Sequence, residues 1–553
     1  MPSSANKFGF LLVSSAIGLF AALSAGQGHA QGITATELRP VPLSGDSAGR
    51  ATGIGILDPG RNGGMDISLW QGADAGLITT MIGGISANTQ IPAIRDLARR
   101  VLSSTARPPE GAGSDFDIAR VEGLLRLGYF RQAQQLAHSI APRQPAAGDR
   151  LRATAALLDG NASIACDTLR ETDRDNDTAN GFWDRVDLFC QIEEGNSGAV
   201  NFLSNILREA GIASEDTLAA AAALAAGTKL EAGFVETELG AVDPIDAPVA
   251  FVLLAKAGLT LGPDASLLQR AVWLNQQLSD LKSVDGALTA LIDLARAGWL
   301  SDSELRDGFK AAGFVSADLA DPLADPTTPV AVLLAAADAE SLEAIKTQLI
   351  ARAWEQSRPI EGALLPYFAG IIRSLQPAPG TEAIAPTAFM LLHGTGSVDE
   401  ASLWLRQAGT HPATQVGNFA RQLAMHRTST PVLANQPELQ ALQPVAQAIT
   451  AGLGLTSRAN ILASQFGGND VSAAALAVLH SSGNGTQGTG QALLAPLLLT
   501  GDKPLASLSP FLLMETINTL VRLGLVEEAQ TLAQHAILAT ATDQGIDGID
   551  TSE

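Results

Sequence analysis

Apolar residues recur at spacings of three and four along the chain from Ile67 onward, which is the pattern of amphipathic helices. Gly, Asn, Asp and Pro interrupt this pattern at intervals of roughly one helix length. Upstream, residues 31–65 are rich in Gly, Ser, Pro and Asp and lack the pattern. The sequence therefore predicts an all-α body over residues 66–540, built from helices joined by short turns and preceded by a flexible Gly/Pro-rich arm.

Two segments near opposite ends of the chain share one pattern. Residues 126–137 and 522–533 have Arg, Leu, Gly, Ala, Gln, Leu and Ala at equivalent positions. We interpret each as a helix that ends at Leu-Gly, a turn, and a second helix that packs back through Ala and Leu. Similar hairpins are predicted over 151–169 and 182–207, where a Gly-Asn pair provides one helix end and the next helix start.

Proline opens another recurring pattern. Pro248, Pro329 and Pro386 each precede a run of mainly apolar residues. Proline is favoured at the first position of a helix because its missing N–H is not needed there. Each run therefore predicts the start of a buried helix. The unequal spacing of the runs predicts a degenerate array with insertions, and the proline-rich stretches 321–329 and 377–386 predict bends in it.

The N-terminus has the order of a secretory signal peptide. Lys7 precedes an apolar run over residues 8–23, and small residues at Gly28 and Ala30 fit a signal-peptidase site after Ala30. The alternative is a membrane anchor, for which the apolar run is short. We expect residues 1–30 to be removed, and the mature chain, which has no other candidate membrane span, to be periplasmic or secreted. At the other end, residues 541–553 are predicted to be a disordered acidic tail.

The charge of the chain narrows the classes of partner. It has 35 basic and 57 acidic residues, a formal net charge of −22. Nucleic-acid binding requires a basic surface that neutralises phosphates, so the sequence argues against that class. The excess of acidic residues instead helps to keep a long chain in solution.

The chain has two cysteines, Cys166 and Cys190. An oxidising compartment forms disulfides from such pairs. Cys166 falls in the second helix of one predicted hairpin and Cys190 in the first helix of the next, which adjacent antiparallel packing would bring together. We predict that they are bonded; the alternative is two buried thiols that do not meet.

Three other features resemble functional motifs. Residues 173–177 and Asp184 are spaced like the carboxylates of a calcium-binding loop, but Thr178 occupies the position that requires Gly. Residues 483–488 match a dinucleotide-binding loop letter by letter, yet they follow a helical Ala/Leu segment and not a strand. His393 lies in an apolar helical run and is interpreted as a satisfied core residue. The sequence therefore predicts inter-helix loops at the first two places and no catalytic, cofactor-binding or metal-binding residues.

The six tryptophans fall at apolar positions of predicted helices. We interpret them as core anchors, with the alternative that one or two line a binding groove. They are Trp70, Trp183, Trp273, Trp299, Trp354 and Trp404.

The spacing of Leu127, Gly128, Tyr129 and Ala133 resembles the tetratricopeptide repeat, as does that of the segment 523–529. The resemblance implies an irregular α-α superhelix whose concave surface binds peptides or proteins. The leading hypothesis is a periplasmic, non-catalytic scaffold or adaptor that binds a protein or peptide partner in the cell envelope. The alternatives are an envelope enzyme that acts on glycans and is built on an α-superhelix, and a carrier of an apolar ligand between helices.

We expect N-terminal sequencing of the exported protein to begin at Gln31. The order of one charge, a short apolar run and small residues is what signal peptidase recognises. A chain that keeps Met1 and fractionates with membranes would contradict this prediction.

Overall fold

The computed structural model describes residues 53–172, 181–230, 243–258, 261–262, 264–277, 285–311, 321–325, 327–357, 365–425, 437–457 and 489–546. These residues all belong to one compact unit, Leu43–Glu553. Within these ranges there are 23 α-helices, a few short 3-10 turns and isolated β-bridges, but no β-strand. The prediction of an all-α fold is confirmed, and the arrangement is compatible with a helical solenoid.

The helices are numbered in chain order. The first eight are α1 (Ala75–Gly83), α2 (Pro92–Ser103), α3 (Ser114–Arg126), α4 (Phe130–Ile140), α5 (Pro145–Leu158), α6 (Ala162–Glu171), α7 (Phe182–Glu193) and α8 (Ser197–Glu209). The next eight are α9 (Glu215–Ala225), α10 (Pro248–Lys256), α11 (Leu267–Gln277), α12 (Asp285–Arg296), α13 (Asp302–Ala311), α14 (Val330–Ala339), α15 (Glu343–Ser357) and α16 (Leu365–Arg373). The remainder are α17 (Ala385–Gly394), α18 (Val398–Ala408), α19 (Pro412–Ala424), α20 (Gln443–Gly452), α21 (Thr489–Thr500), α22 (Pro510–Arg522) and α23 (Val526–Asp543).

The repeated Leu-Gly pattern forms the same turn at both ends of the chain. Gly128 and Gly524 have φ values of 76° and 79°, in the left-handed region that glycine adopts without strain. The amide that follows each glycine donates to a carbonyl five residues back, as Tyr129 does to Leu124. This is the bond of a Schellman helix end. The predicted hairpins α3–α4 and α22–α23 are therefore confirmed.

In the Gly-Asn turns, the asparagine side chain also caps the helix that follows. After the left-handed glycine, the Oδ1 atoms of Asn161 and Asn196 accept hydrogen bonds from the amides of Ile164 and Ala199, at 3.3 and 3.2 Å. Each asparagine thus caps the next helix and satisfies one of its free N–H groups. The predicted hairpins α5–α6 and α7–α8 form as expected.

The proline-led runs also form helices. Pro248 is the first residue of α10, Pro386 the second residue of α17, and Pro329 immediately precedes α14. These are positions where a missing N–H costs nothing. Helices α10 and α17 are largely buried, as predicted, whereas α14 buries one face through Leu333, Leu334 and Ala337. The proline-rich stretches 321–329 and 377–386 lead into α14 and α17.

The stretch 53–65, which the sequence analysis assigned to a flexible arm, is packed against α2 and α3. Ile54 and Met65 are buried. The guanidinium of Arg120, itself fully buried, donates to the carbonyls of Ile54, Leu102 and Ser104 at 2.8–2.9 Å. Arg120 and backbone hydrogen bonds, such as those from the amides of Ile56 and Leu57 to the Ser103 carbonyl, therefore bind residues 53–65 to the body, although the sequence analysis placed them in a flexible arm. At the other end, the sequence analysis began the tail at residue 541. In the structure α23 runs to Asp543 and Ile546 is buried.

Helices that are distant in sequence also pack together. α5 contacts α10, α2 contacts α21 and α23, and α19 contacts α23. Arg100 on α2 forms an ion pair with Glu528 on α23, and the amide of Gly490 donates to the Leu69 carbonyl at 2.6 Å. Helices from the two ends of the described chain are therefore in direct contact, α1 and α2 with α21 and α2 also with α23, which packing between successive hairpins does not by itself imply.

A second buried arginine holds the α3–α4 turn against the α12–α13 turn. The Arg95 guanidinium lies 4.1 Å from the ring centroid of Trp299 and donates to the carbonyls of Thr89 and Leu127. Burial lowers the pKa of Arg95 to about 10, so it remains a cation at neutral pH. Gly128 lies directly under Trp299, since a Cβ atom there would be 2.0 Å from the indole ring.

We expect Gly128→Ala to destabilise the fold more than Gly524→Ala. Both alanines would be held at positive φ, a strain of about 1–2 kcal/mol. Only the first would also collide with an indole ring, and such overpacking costs about 1–3 kcal/mol. No atom lies within 4 Å of a Cβ at position 524. Thermal or urea unfolding of the two variants measures the difference, and equal destabilisation would show that Trp299 does not constrain the turn.

Candidate functional site

A pocket of about 490 Å³ lies where α17 ends, α18 begins and α19 ends. The helices α17 and α19 approach closely because Gly417 has no side chain: a Cβ there would lie 2.9 Å from the Cα of Met390. Their C-terminal ends therefore lie side by side. The residues that line the pocket are His393, Val398, Asn418, Arg421, Gln422 and Met425.

Helix α19 provides one wall of the pocket. Asn418, Arg421, Gln422 and Met425 occupy positions i, i+3, i+4 and i+7 and so share a face. The opposite face of the same helix, which includes Phe419, is buried in the core. The amphipathic pattern of α19 thus places two amides and a guanidinium at the mouth of the pocket.

Arg421 has no carboxylate partner within 4.0 Å among the residues that the structure describes. Its Nη1 atom lies beside the α17–α18 turn, 3.5 Å from where a Cβ of Gly396 would be. At the same turn, the Ser397 hydroxyl accepts a hydrogen bond from Arg373 at 3.1 Å. Ser397 does not cap α18, whose first N–H groups have no side-chain acceptor among the described residues.

His393 is not the satisfied core residue that the sequence analysis expected. It is half-buried, its ring stacks on Phe389 with centroids 5.0 Å apart, and its nitrogens make no hydrogen bond with any described residue. The reason is its place in the last turn of α17, where the side chain emerges from the core. Burial lowers the pKa of His393 below its ordinary value, and the nearby Arg421 cation lowers it further.

The predicted cysteine pair is confirmed at bonding distance. The sulfurs of Cys166 on α6 and Cys190 on α7 lie 2.00 Å apart and the Cα atoms 5.7 Å apart, within the range of protein disulfides. Both cysteines are buried. They link two successive hairpins, as their positions in the sequence predicted.

The two motif-like loops lie almost entirely outside the described residues. Residues 173–177 and 483–488 lie outside the described residues, while Asp184 lies in the first turn of α7. Among the described residues, no three His, Cys, Asp or Glu side chains are placed to hold a metal ion. Of the six tryptophans, Trp299 is half-buried against Arg95, and the other five are buried core residues as predicted.

Helix α8 presents an exposed apolar face that the sequence analysis missed. Phe202 and Ile206, one turn apart, are 66% and 43% exposed. The helix packs on α7 and α9 through its other face, where Val200 and Leu207 are buried. The signal was present in the sequence, because apolar residues at 200, 202, 203, 206 and 207 cover a wider arc than one packing surface requires.

Comparison with known proteins assigns no role to these sites, which are therefore interpreted from the residues that form them. No protein-family model, curated protein or solved structure matches this chain. Within the described ranges, no helix has both the length and the apolar character needed to cross a membrane.

We expect Arg421→Gln to raise the pKa of His393 towards its ordinary value. The substitution removes a neighbouring positive charge that disfavours the imidazolium, whereas the effect of burial remains. An NMR titration of the imidazole, assigned with a His393→Gln variant, measures the shift. Arg406→Gln is the matched control because Arg406 is exposed on α18 and does not line the pocket. An unchanged His393 pKa in Arg421→Gln would show that the two groups do not interact.

Proposed function

We propose that this chain is an exported, non-catalytic helical scaffold that holds a protein partner in the cell envelope. The observation that carries the proposal is the exposed apolar face of α8, formed by Phe202 and Ile206. Large apolar side chains with this spacing are the anchors by which amphipathic helices enter grooves of other proteins.

The energetics favour a partner at this face. Burying a Phe or Ile side chain contributes about 1.5–3 kcal/mol relative to leaving it exposed. A helix that keeps both of them in water gives up this stabilisation, and a partner groove would recover it. Aromatic residues are also over-represented among the few positions that dominate binding energy in interfaces.

The surroundings of the face favour a protein partner. Asn201, Ser204 and Asn205 flank the two apolar residues and are uncharged. The nearest cation on the helix, Arg208, donates to the carboxylate of Glu215 at 3.0 Å. A neutral polar rim around an apolar centre is the usual composition of a protein–protein interface. An anionic lipid surface or a nucleic acid would instead require a cluster of unpaired basic residues.

Two features support export. The N-terminal sequence has the order of a signal peptide. The bonded Cys166–Cys190 pair is typical of proteins that fold in an oxidising compartment.

The test compares two double variants that remove exposed apolar pairs. Phe202→Ser/Ile206→Ser alters α8, and Leu342→Ser/Ile345→Ser alters a similar pair at the start of α15, which is 60% and 38% exposed. A photo-crosslinking residue at Asn205 in the full-length exported protein would identify the partner, and the purified pair would give the dissociation constant.

We expect the α8 variant to weaken binding at least about tenfold, as loss of an interface anchor does. The α15 variant should bind like the natural protein, and both should unfold at nearly the same temperature as it does because the altered residues are exposed. Equal crosslinking by all three proteins, or equal loss in both variants, would refute α8 as the interface.

A further inference from the structure

We infer that the pocket between α17, α18 and α19 binds the carboxylate of a small ligand with an apolar group, and that Arg421 is its anchoring cation. This site is separate from the face of α8, and the inference does not rest on the partner proposed for that helix.

The first argument is that Arg421 differs from comparable arginines of the chain. Acidic residues outnumber basic ones by 57 to 35, so a partly buried guanidinium readily finds a carboxylate. Arg100 pairs with Glu528, Arg152 lies 3.0 Å from a carboxylate oxygen of Glu171, and Arg306 lies 3.1 Å from one of Asp338. Arg421 forms no ion pair or hydrogen bond with any residue that the structure describes.

The second argument is that the remaining polar groups of the pocket are also free to bind. The side chains of His393, Asn418 and Gln422 make no hydrogen bond with another described residue. The first N–H groups of α18 have no side-chain cap. The hydroxyl of Ser397, the residue before the helix, instead accepts a hydrogen bond from Arg373. The end of the helix carries a partial positive charge, which Asp399 and Glu400 in its first turn partly offset.

The third argument is the absence of an internal anion from the described pocket wall. No Asp or Glu lines it. The two carboxylates that follow the lining residue Val398 in sequence, Asp399 and Glu400, lie in the first turn of α18 and form no ion pair with Arg421. The pocket thus combines a cation with hydrogen-bonding groups and lacks a competing negative charge on its lining.

The shape and the remaining lining define the rest of the ligand. Val398 and Met425 provide apolar surface beside the polar groups. A volume of about 490 Å³ is at the small end of ligand sites. A single guanidinium matches the two oxygens of one carboxylate, whereas phosphate sites usually gather more cations. The carboxy terminus of a peptide and a free short organic acid share this chemistry.

The probes are N-acetyl-leucine, its amide N-acetyl-leucinamide, and inorganic phosphate. Each is titrated into the full-length mature protein into the millimolar range, and the NMR signals of the His393 imidazole report occupancy. We expect a saturable shift with N-acetyl-leucine that the amide does not produce, because only the former has the anion. Equal shifts with acid and amide, a stronger response to phosphate, or no response to any probe would overturn the inference.

Variants separate the role of Arg421 from a general effect of charge. Arg421→Gln should weaken binding of N-acetyl-leucine at least about tenfold, the loss typical of a charge-assisted hydrogen bond. Arg421→Lys should retain part of the affinity because it keeps the positive charge. The rest should be lost because lysine lacks the paired N–H donors that bind both carboxylate oxygens. Arg406→Gln should bind like the natural protein. If Arg406→Gln weakens binding as much as Arg421→Gln, the pocket is not the site.

A last comparison distinguishes the two sources of carboxylate. The tetrapeptide N-acetyl-Ala-Ala-Ala-Leu has the same terminal group with three more residues. Tighter binding of the tetrapeptide identifies a peptide carboxy terminus as the ligand, and equal or weaker binding identifies a small free acid. Both outcomes support the inference, provided that binding depends on Arg421.

Discussion

The hairpins of this protein depend on a backbone conformation that glycine adopts without strain. At the end of helix after helix, a glycine at positive φ reverses the chain, and the next amide returns to a carbonyl five residues back. In the hairpins α3–α4, α5–α6, α7–α8 and α22–α23 the turn is three residues long, so the following helix packs directly against the one before. At the pocket, the turn with Gly396 at a φ of 95° places the start of α18 beside the end of α17.

Features coded by neighbouring residues could be predicted from the sequence, and features formed by distant residues could not. The turns at Gly128 and Gly524 and the caps at Asn161 and Asn196 are local, and they form as predicted. The packing of residues 53–65 involves Ser103 and Arg120, which are more than thirty positions away. An arginine in a helical pattern normally indicates a solvated face, so no local signal showed that this one is buried.

The same distinction applies to the candidate sites. The exposed face of α8 had a signal in its sequence, an apolar arc too wide for one interface. His393 was misassigned because an apolar run shows that a helix is buried but does not show where its last turn leaves the core. That Arg421 has no ion-pair partner among the described residues could not be predicted from the sequence, because it depends on which side chains the fold places around the guanidinium.

The contact of α2 with α21 and α23, near the two ends of the described chain, alters how the molecule responds to thermal fluctuations. In a linear array the terminal units have one neighbour each, so they open first and loss of structure spreads inward from them. Here α2 lies against α21 and α23, and Arg100 is paired with Glu528. The two ends of the described helical array are therefore in contact with each other. Opening at one terminus must also expose the other, which couples residues more than four hundred positions apart and makes closure a late, high-contact-order event in folding.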